Sequence, residues 1–256
     1  MKLTAQVSGN GPPLIFLHGL FGSARNWSGV ARQLQGTRRI HLLDARNHGA
    51  SPRHPSMTYT QMADDLHEYI AANRLQGSVV LGHSMGGKTA MTLALEQPEL
   101  ISALIIADIA PVAYQPHHAA LIRAMRETDL SGLTRRAEAE QRLGEKIDDA
   151  PTCTFLTSNL VTTEDGLTWP FNLDAIDAGH RDLSEFPDAH RRRYPGPVLF
   201  LIGGKSEYVR REHHETIDRL FPSSRIITID GAGHWLHAEK RDIFIENVRG
   251  FLKNSR

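Results

Sequence analysis

Short apolar runs punctuate the chain at 14–17, 40–44, 78–81, 104–107, 198–202 and 226–229, and amphipathic stretches fill most of the intervals. A run such as Leu14-Ile15-Phe16-Leu17 has no polar alternation, so a strand made from it is covered on both faces. Strands of that kind separated by helices specify an α/β protein with a largely parallel sheet between helical layers. Between Thr58 and Arg74, Met62, Leu66, Tyr69 and Ile70 recur at helical spacing, with Asp64, Asp65 and Glu68 read as the solvent side. A last helix is predicted over 242–253, with Ile243, Phe244, Val248, Phe251 and Leu252 as its apolar face.

The alternation breaks between about Val112 and Tyr194. Strand-like runs fade there, and charged helical segments such as Arg135-Arg136-Ala137-Glu138-Ala139-Glu140 replace them. A simple crossover needs far fewer residues. The division expected is therefore a core of residues 1–111 and 195–256, with 112–194 inserted as a mostly helical cap.

Charge excludes one class of partner. Lys and Arg number 29 and Asp and Glu 29, so no net basic field exists to attract nucleic acid or anionic lipid. No run approaches the roughly 18 apolar residues of a membrane span. The N-terminus lacks the apolar stretch of a secretion signal, and the single cysteine, Cys153, rules out an internal disulfide framework. The expectation is a cytoplasmic protein acting on a small molecule, as a monomer or small homo-oligomer.

Gly82-His83-Ser84-Met85-Gly86 follows the 78–81 run directly and opens a helical stretch that Pro98 ends. This is G-x-S-x-G in its required context, strand then helix. The chain must turn sharply to present Ser84, and residues two positions away must be small to clear the adjoining strand and helix. A serine hydroxyl needs a base to take its proton. Among 14 histidines, His234 alone is flanked by glycine just beyond a buried strand, in Gly231-Ala232-Gly233-His234-Trp235. His237 is a weaker choice, and His117, His118, His213 and His214 read as solvated helical residues. Two backbone donors must hold an oxyanion. Met85 N–H supplies one, and the loop after the first run supplies the other, with Leu20 preferred over Phe21. His18 reads as an organiser of that loop. No metal-binding spacing such as H-E-x-x-H occurs.

With His18-Gly19 and Asp44-Ala45-Arg46-Asn47-His48-Gly49-Ala50-Ser51 in order before them, these motifs resemble the α/β-hydrolase superfamily across nearly the whole chain. Gly82–Lys88, Asp108-Ile109-Ala110-Pro111 and the Gly-His-Trp string resemble the YbfF-type bacterial esterases. The stretch around Asn172-Leu173-Asp174 is similar to their mitochondrial abhydrolase-domain relatives. The resemblance implies a mostly parallel sheet of the eight-stranded type with a helical cap, and cofactor-free hydrolysis of small acyl esters.

One position departs from the superfamily pattern. Where most members carry the triad acid, after the 198–202 strand, this chain has Ser206, with Glu207 one residue late. Asp108, ending the strand expected beside the nucleophile strand, is the preferred acid; Glu207 and Asp174 are the alternatives, and Ser206 becomes an auxiliary partner of the histidine or acid. Phe21, Met85, Tyr114, Trp169, Phe171, Tyr208 and Trp235 are pocket candidates, Trp169 and Phe171 reading equally well as core. A serine carboxylesterase for short to medium acyl chains is the leading reading. A thioesterase on the same triad and a non-catalytic binding scaffold are the alternatives. The elbow serine argues against dehalogenases and epoxide hydrolases, which use a carboxylate there.

Overall fold

A computed structural model describes residues 1–116 and 118–254; His117 lies outside them. In chain order the elements are β1 (Ala5–Ser8), β2 (Pro13–Leu17), α1 (Ser28–Leu34), β3 (Arg39–Leu43), α2 (Tyr59–Asn73), β4 (Ser78–His83), α3 (Met85–Glu96) and β5 (Ile101–Ala107). After them come α4 (Ala119–Glu127), α5 (Arg136–Gly144), α6 (Ala150–Ser158), β6 (Val161–Thr163), β7 (Gly166–Thr168) and α7 (Leu173–Gly179). The chain closes with β8 (Val198–Gly203), α8 (His214–Leu220), β9 (Ser224–Ile229), α9 (Leu236–Glu239) and α10 (Arg241–Asn254).

The main sheet runs β1-β3-β2-β4-β5-β8-β9, with β1 antiparallel to β3 and every other pairing parallel. It has seven strands among the described residues rather than the expected eight. β1 carries no apolar run, which is why the sequence did not announce it.

Both faces of the sheet are covered, which explains the unbroken apolar strands. Ile15 and Leu17 of β2 face one layer, with Leu66 and Ile70 of α2, Leu93 of α3 and Ile217 of α8. Leu14 and Phe16 face the other, with Val30 and Leu34 of α1 and Phe244 and Val248 of α10. In β5, Leu104 and Ile106 alternate with Ala103, Ile105 and Ala107 between the same two layers.

Helix α2 starts at the Thr58/Gln61 capping box and stops at Arg74, whose backbone is left-handed. Asp65, expected at the solvent side, is instead 1% exposed. Arg46 forks onto both of its oxygens, Nε at 2.7 Å and Nη2 at 2.9 Å, so a charge that periodicity assigned to water is satisfied inside. On α10, Phe244, Val248 and Leu252 are buried as expected, but Ile243 is 46% exposed and Ile245 takes its place inside.

Among the described residues the segment between β5 and β8 holds four helices and also the short β6–β7 hairpin. It builds a third apolar cluster, in which Met125, Leu156, Trp169 and Ile176 meet Leu20, Phe21 and Met85 from the loops at the carboxyl ends of the parallel strands. Those ends are where ligands bind in open α/β sheets. Cys153 is buried as a free thiol on α6.

Candidate active site

Ser84 stands between β4 and α3 with φ 51° and ψ −118°, a backbone geometry that costs energy for a non-glycine residue. The flanking glycines leave no choice of residue. A Cβ on Gly82 would lie 2.3 Å from the Gly86 carbonyl oxygen, and one on Gly86 2.6 Å from that of Leu17. The reward for this strain is position: Ser84 sits at the amino end of α3, where partial positive charge gathers.

His234 follows β9 and brings its ring to the same cavity. Its Nδ1–H donates to Asp108 Oδ2 at 2.7 Å. Asp108 is fully buried and also accepts from Gly203 N–H at 2.9 Å and from the Ser206 hydroxyl. Three donors satisfy this carboxylate within the interior. Asp108 has a positive φ of 52°, as does Phe21 at 59°, so three strained non-glycine residues converge here with Ser84. The other acids lie elsewhere. Glu207 points outward, its side chain 81% exposed and paired with Arg210; Asp174 is 93% exposed and paired with Arg126.

Among the described residues no hydrogen bond joins Ser84 Oγ to His234; the two side chains share one cavity wall. Catalytic hydrogen bonds are commonly long without substrate and tighten when it binds.

The two amides expected at the oxyanion position, Leu20 and Met85, donate to no other group among the described residues. Phe21, the fallback, is committed: its N–H donates to His48 Nε2 at 3.2 Å. The His48 ring is itself oriented by donating Nδ1–H to Arg46 O. His18 organises its loop as expected, donating to Gly19 O and accepting from Ala45 N–H. Asp44 accepts from the Ala24 and Ala50 amides, and a Cβ on Gly49 (φ 56°) would strike its carboxylate at 2.3 Å. The 44–51 string is thus a scaffold for the loop carrying Leu20.

Sequence reasoning passed over His83, Phe155 and His118, which bear on the site beside the pocket candidates Tyr208 and Trp235. His83 donates Nε2–H to the His234 carbonyl at 2.9 Å, and Tyr208 stacks on the His234 ring at 4.0 Å between centroids. Phe155 of α6 stacks on Trp235 at 5.0 Å, and His118, read as solvated, lines the cavity. Only His83 left a signal, its place between strand end and serine. Burial, with neighbouring His234 and His237, holds His83 well below the usual imidazole range, so it stays neutral as a donor.

The cavity has two parts that meet at Leu20, Ser84, His118 and Tyr208. A chamber of about 260 Å³ extends past Phe21, Phe155, His234 and Trp235. A narrow arm of about 20 Å³ leads past Met85 and Tyr114 to Lys88. Lys88 is buried, and its burial lowers the ammonium pKa to about 7 against the opposing effect of Glu185. Trp169 and Phe171 line neither part. They stack on each other, with Trp169 Nε1–H donating to Met125 O, and belong to the third apolar cluster. Among the described residues no group of three or more His, Cys, Asp or Glu is placed to hold a metal, and no helix is long and apolar enough to cross a membrane.

A parallel sheet with a serine elbow, a histidine loop after its last strand and a cavity between them is the architecture of a hydrolase. The α/β hydrolase fold profile matches residues 12–241. The chain belongs to that family and is a hydrolase of its esterase and lipase type. A Xenopus tropicalis relative named sn-1-specific diacylglycerol lipase ABHD11 is 40% identical, over 97% of this chain and 80% of its own. Esterase YbfF of Escherichia coli K12 is 34% identical over 98% and 97%. A solved structure titled marine microorganism esterase superposes with a TM-score of 0.93 at 38% identity, covering 98% of this chain and 99% of its own.

Proposed function

We propose that the protein is a serine carboxylesterase that cleaves short- to medium-chain acyl esters through an acyl-enzyme, with Ser84, His234 and Asp108 as its triad. The observation that carries this reading is the Asp108–His234 hydrogen bond beside a strained Ser84, all at one cavity. Asp108 holds the imidazole with Nδ1 protonated, which leaves Nε2 as the base. His234 takes the Ser84 proton as Oγ attacks the ester carbonyl, and the Leu20 and Met85 amides receive the oxyanion. His234 then protonates the departing alcohol. Water enters, His234 takes its proton, and attack on the acyl-enzyme releases the acid and restores Ser84. Ser206 assists by holding Asp108 Oδ2 beside the histidine.

Residues 112–194 act as a cap whose helices α4 and α6 roof the chamber, through Leu121, Phe155 and Leu156. Phe21 and Trp235 bound the wide chamber and Tyr114 the narrow arm, which favours a small ester over a lipid surface. The lone buried thiol, Cys153, fits work in a reducing cytoplasm. The test is a series of 4-nitrophenyl esters of increasing acyl length, run on wild type and Ser84→Ala. Wild type should hydrolyse acetate and butyrate, with activity falling at long chains. Wild-type rates in Ser84→Ala would end the reading.

A further inference from the structure

The two parts of the cavity divide the work between acyl group and alcohol. On the serine-esterase reading above, His234 must deliver a proton to the departing alcohol, so the leaving group belongs in the chamber that contains His234. The narrow arm does not reach His234; it passes the Leu20 and Met85 oxyanion amides and suits the acyl group. At about 20 Å³ it is far smaller than the chamber, which disfavours branched or bulky acids.

What closes the narrow arm is a cation. Lys88 follows Ser84 by four residues, in the first turn of α3, and a helical lysine stem leans back toward the amino end. Its Nζ donates to Ser184 O at 3.1 Å and Glu185 O at 2.6 Å. It stands 4.7 Å from the Tyr114 ring centroid and 5.3 Å from that of Tyr59. An ammonium has three N–H donors, and two of them are spent on those carbonyls. Among the described residues no carboxylate lies within ion-pair distance of Lys88. The hydroxyls of Tyr59 and Tyr114 are committed to Leu183 O and Tyr208 O. The group left to meet a ligand at the end of the arm is the ammonium. A purely apolar acyl tail would press against a buried charge, whereas a carboxylate would neutralise it through a charge-assisted hydrogen bond.

We propose that the narrow arm takes short, unbranched acyl groups that end in a carboxylate, so that the preferred substrates are monoesters of small dicarboxylic acids and Lys88 selects them.

Monobenzyl succinate and benzyl pentanoate test this directly, because they share a leaving group and nearly share acyl length. Release of benzyl alcohol at pH 6.5 gives kcat/KM for each ester. Wild type should favour the monoester by tenfold or more, and in Lys88→Met that ratio should fall to one or below. A wild-type ratio at or below one overturns the proposal, whether or not the variant folds. An unchanged ratio in a folded Lys88→Met overturns it too, since a lysine that only fastens residues 184 and 185 would affect both esters alike. Inhibition of wild type by succinate at concentrations where butyrate has no effect is the supporting result that needs no variant. Covalent labelling of Ser84 by a fluorophosphonate separates the two levels. A labelled enzyme that ignores the monoester contradicts only the specificity, while an unlabelled, inactive one contradicts the esterase reading beneath it.

Discussion

In the proposed triad Asp108 supplies the acid from the end of β5, and Ser206 occupies the place after β8 where most members of this superfamily carry it. The neighbouring carboxylate cannot substitute, because Glu207 faces solvent and pairs with Arg210. Replacing Asp108 by Asn keeps the shape but supplies an amide that cannot stabilise the imidazolium and favours the wrong tautomer. We expect kcat to fall by roughly 10³–10⁴ in Asp108→Asn and to stay within about twofold in Glu207→Gln. Steady-state kinetics on 4-nitrophenyl acetate decides between them; the reverse pattern would move the acid to Glu207.

At the scale of elements, the strands and the elbow were legible and the loops between them were not. The apolar runs at 14–17, 78–81 and 198–202 became β2, β4 and β8 because a doubly covered strand must be apolar on both faces. Glycine spacing exposed the elbow because backbone atoms lie within 3 Å of where a Cβ would stand. His48 and Lys88 gave no sign of their place at the site, since their partners lie far away in sequence: Phe21 and the 184–185 carbonyls. β1 and the β6–β7 hairpin carry no apolar signature. Asp65 on α2 shows how helical periodicity misleads when a distant arginine is available. Asp65→Asn should leave Arg46 charged and half-paired in the interior, costing about 3–5 kcal/mol. Urea unfolding would register this as a lowered midpoint at constant slope, and a loss below about 1 kcal/mol would mean the pair contributes as little as a surface one.

Over the whole molecule, neutral histidines are structural groups. Burial lowers His18, and brings His48 and His237 to about 3; His83 is held well below the usual range by burial first, then by its histidine neighbours. Each stays uncharged in the fold and takes up a proton near pH 6.5 once unfolded. The unfolded chain therefore binds more protons between about pH 3 and 6.5, and stability is lost as pH falls through that window. Each such histidine contributes up to about 1.4 kcal/mol per pH unit. Urea midpoints should drop steadily from pH 6.5 to 5; a flat profile over that range would mean that these rings are protonated in the folded protein.

The proposed roles of Ser84 as nucleophile and His234 as its base are read most directly by intact mass after exposure to a fluorophosphonate, with peptide mapping. A single adduct on Ser84 is expected in wild type, none in Ser84→Ala, and labelling slowed by orders of magnitude in His234→Ala. An adduct on another residue, or labelling of His234→Ala at the wild-type rate, would contradict these roles.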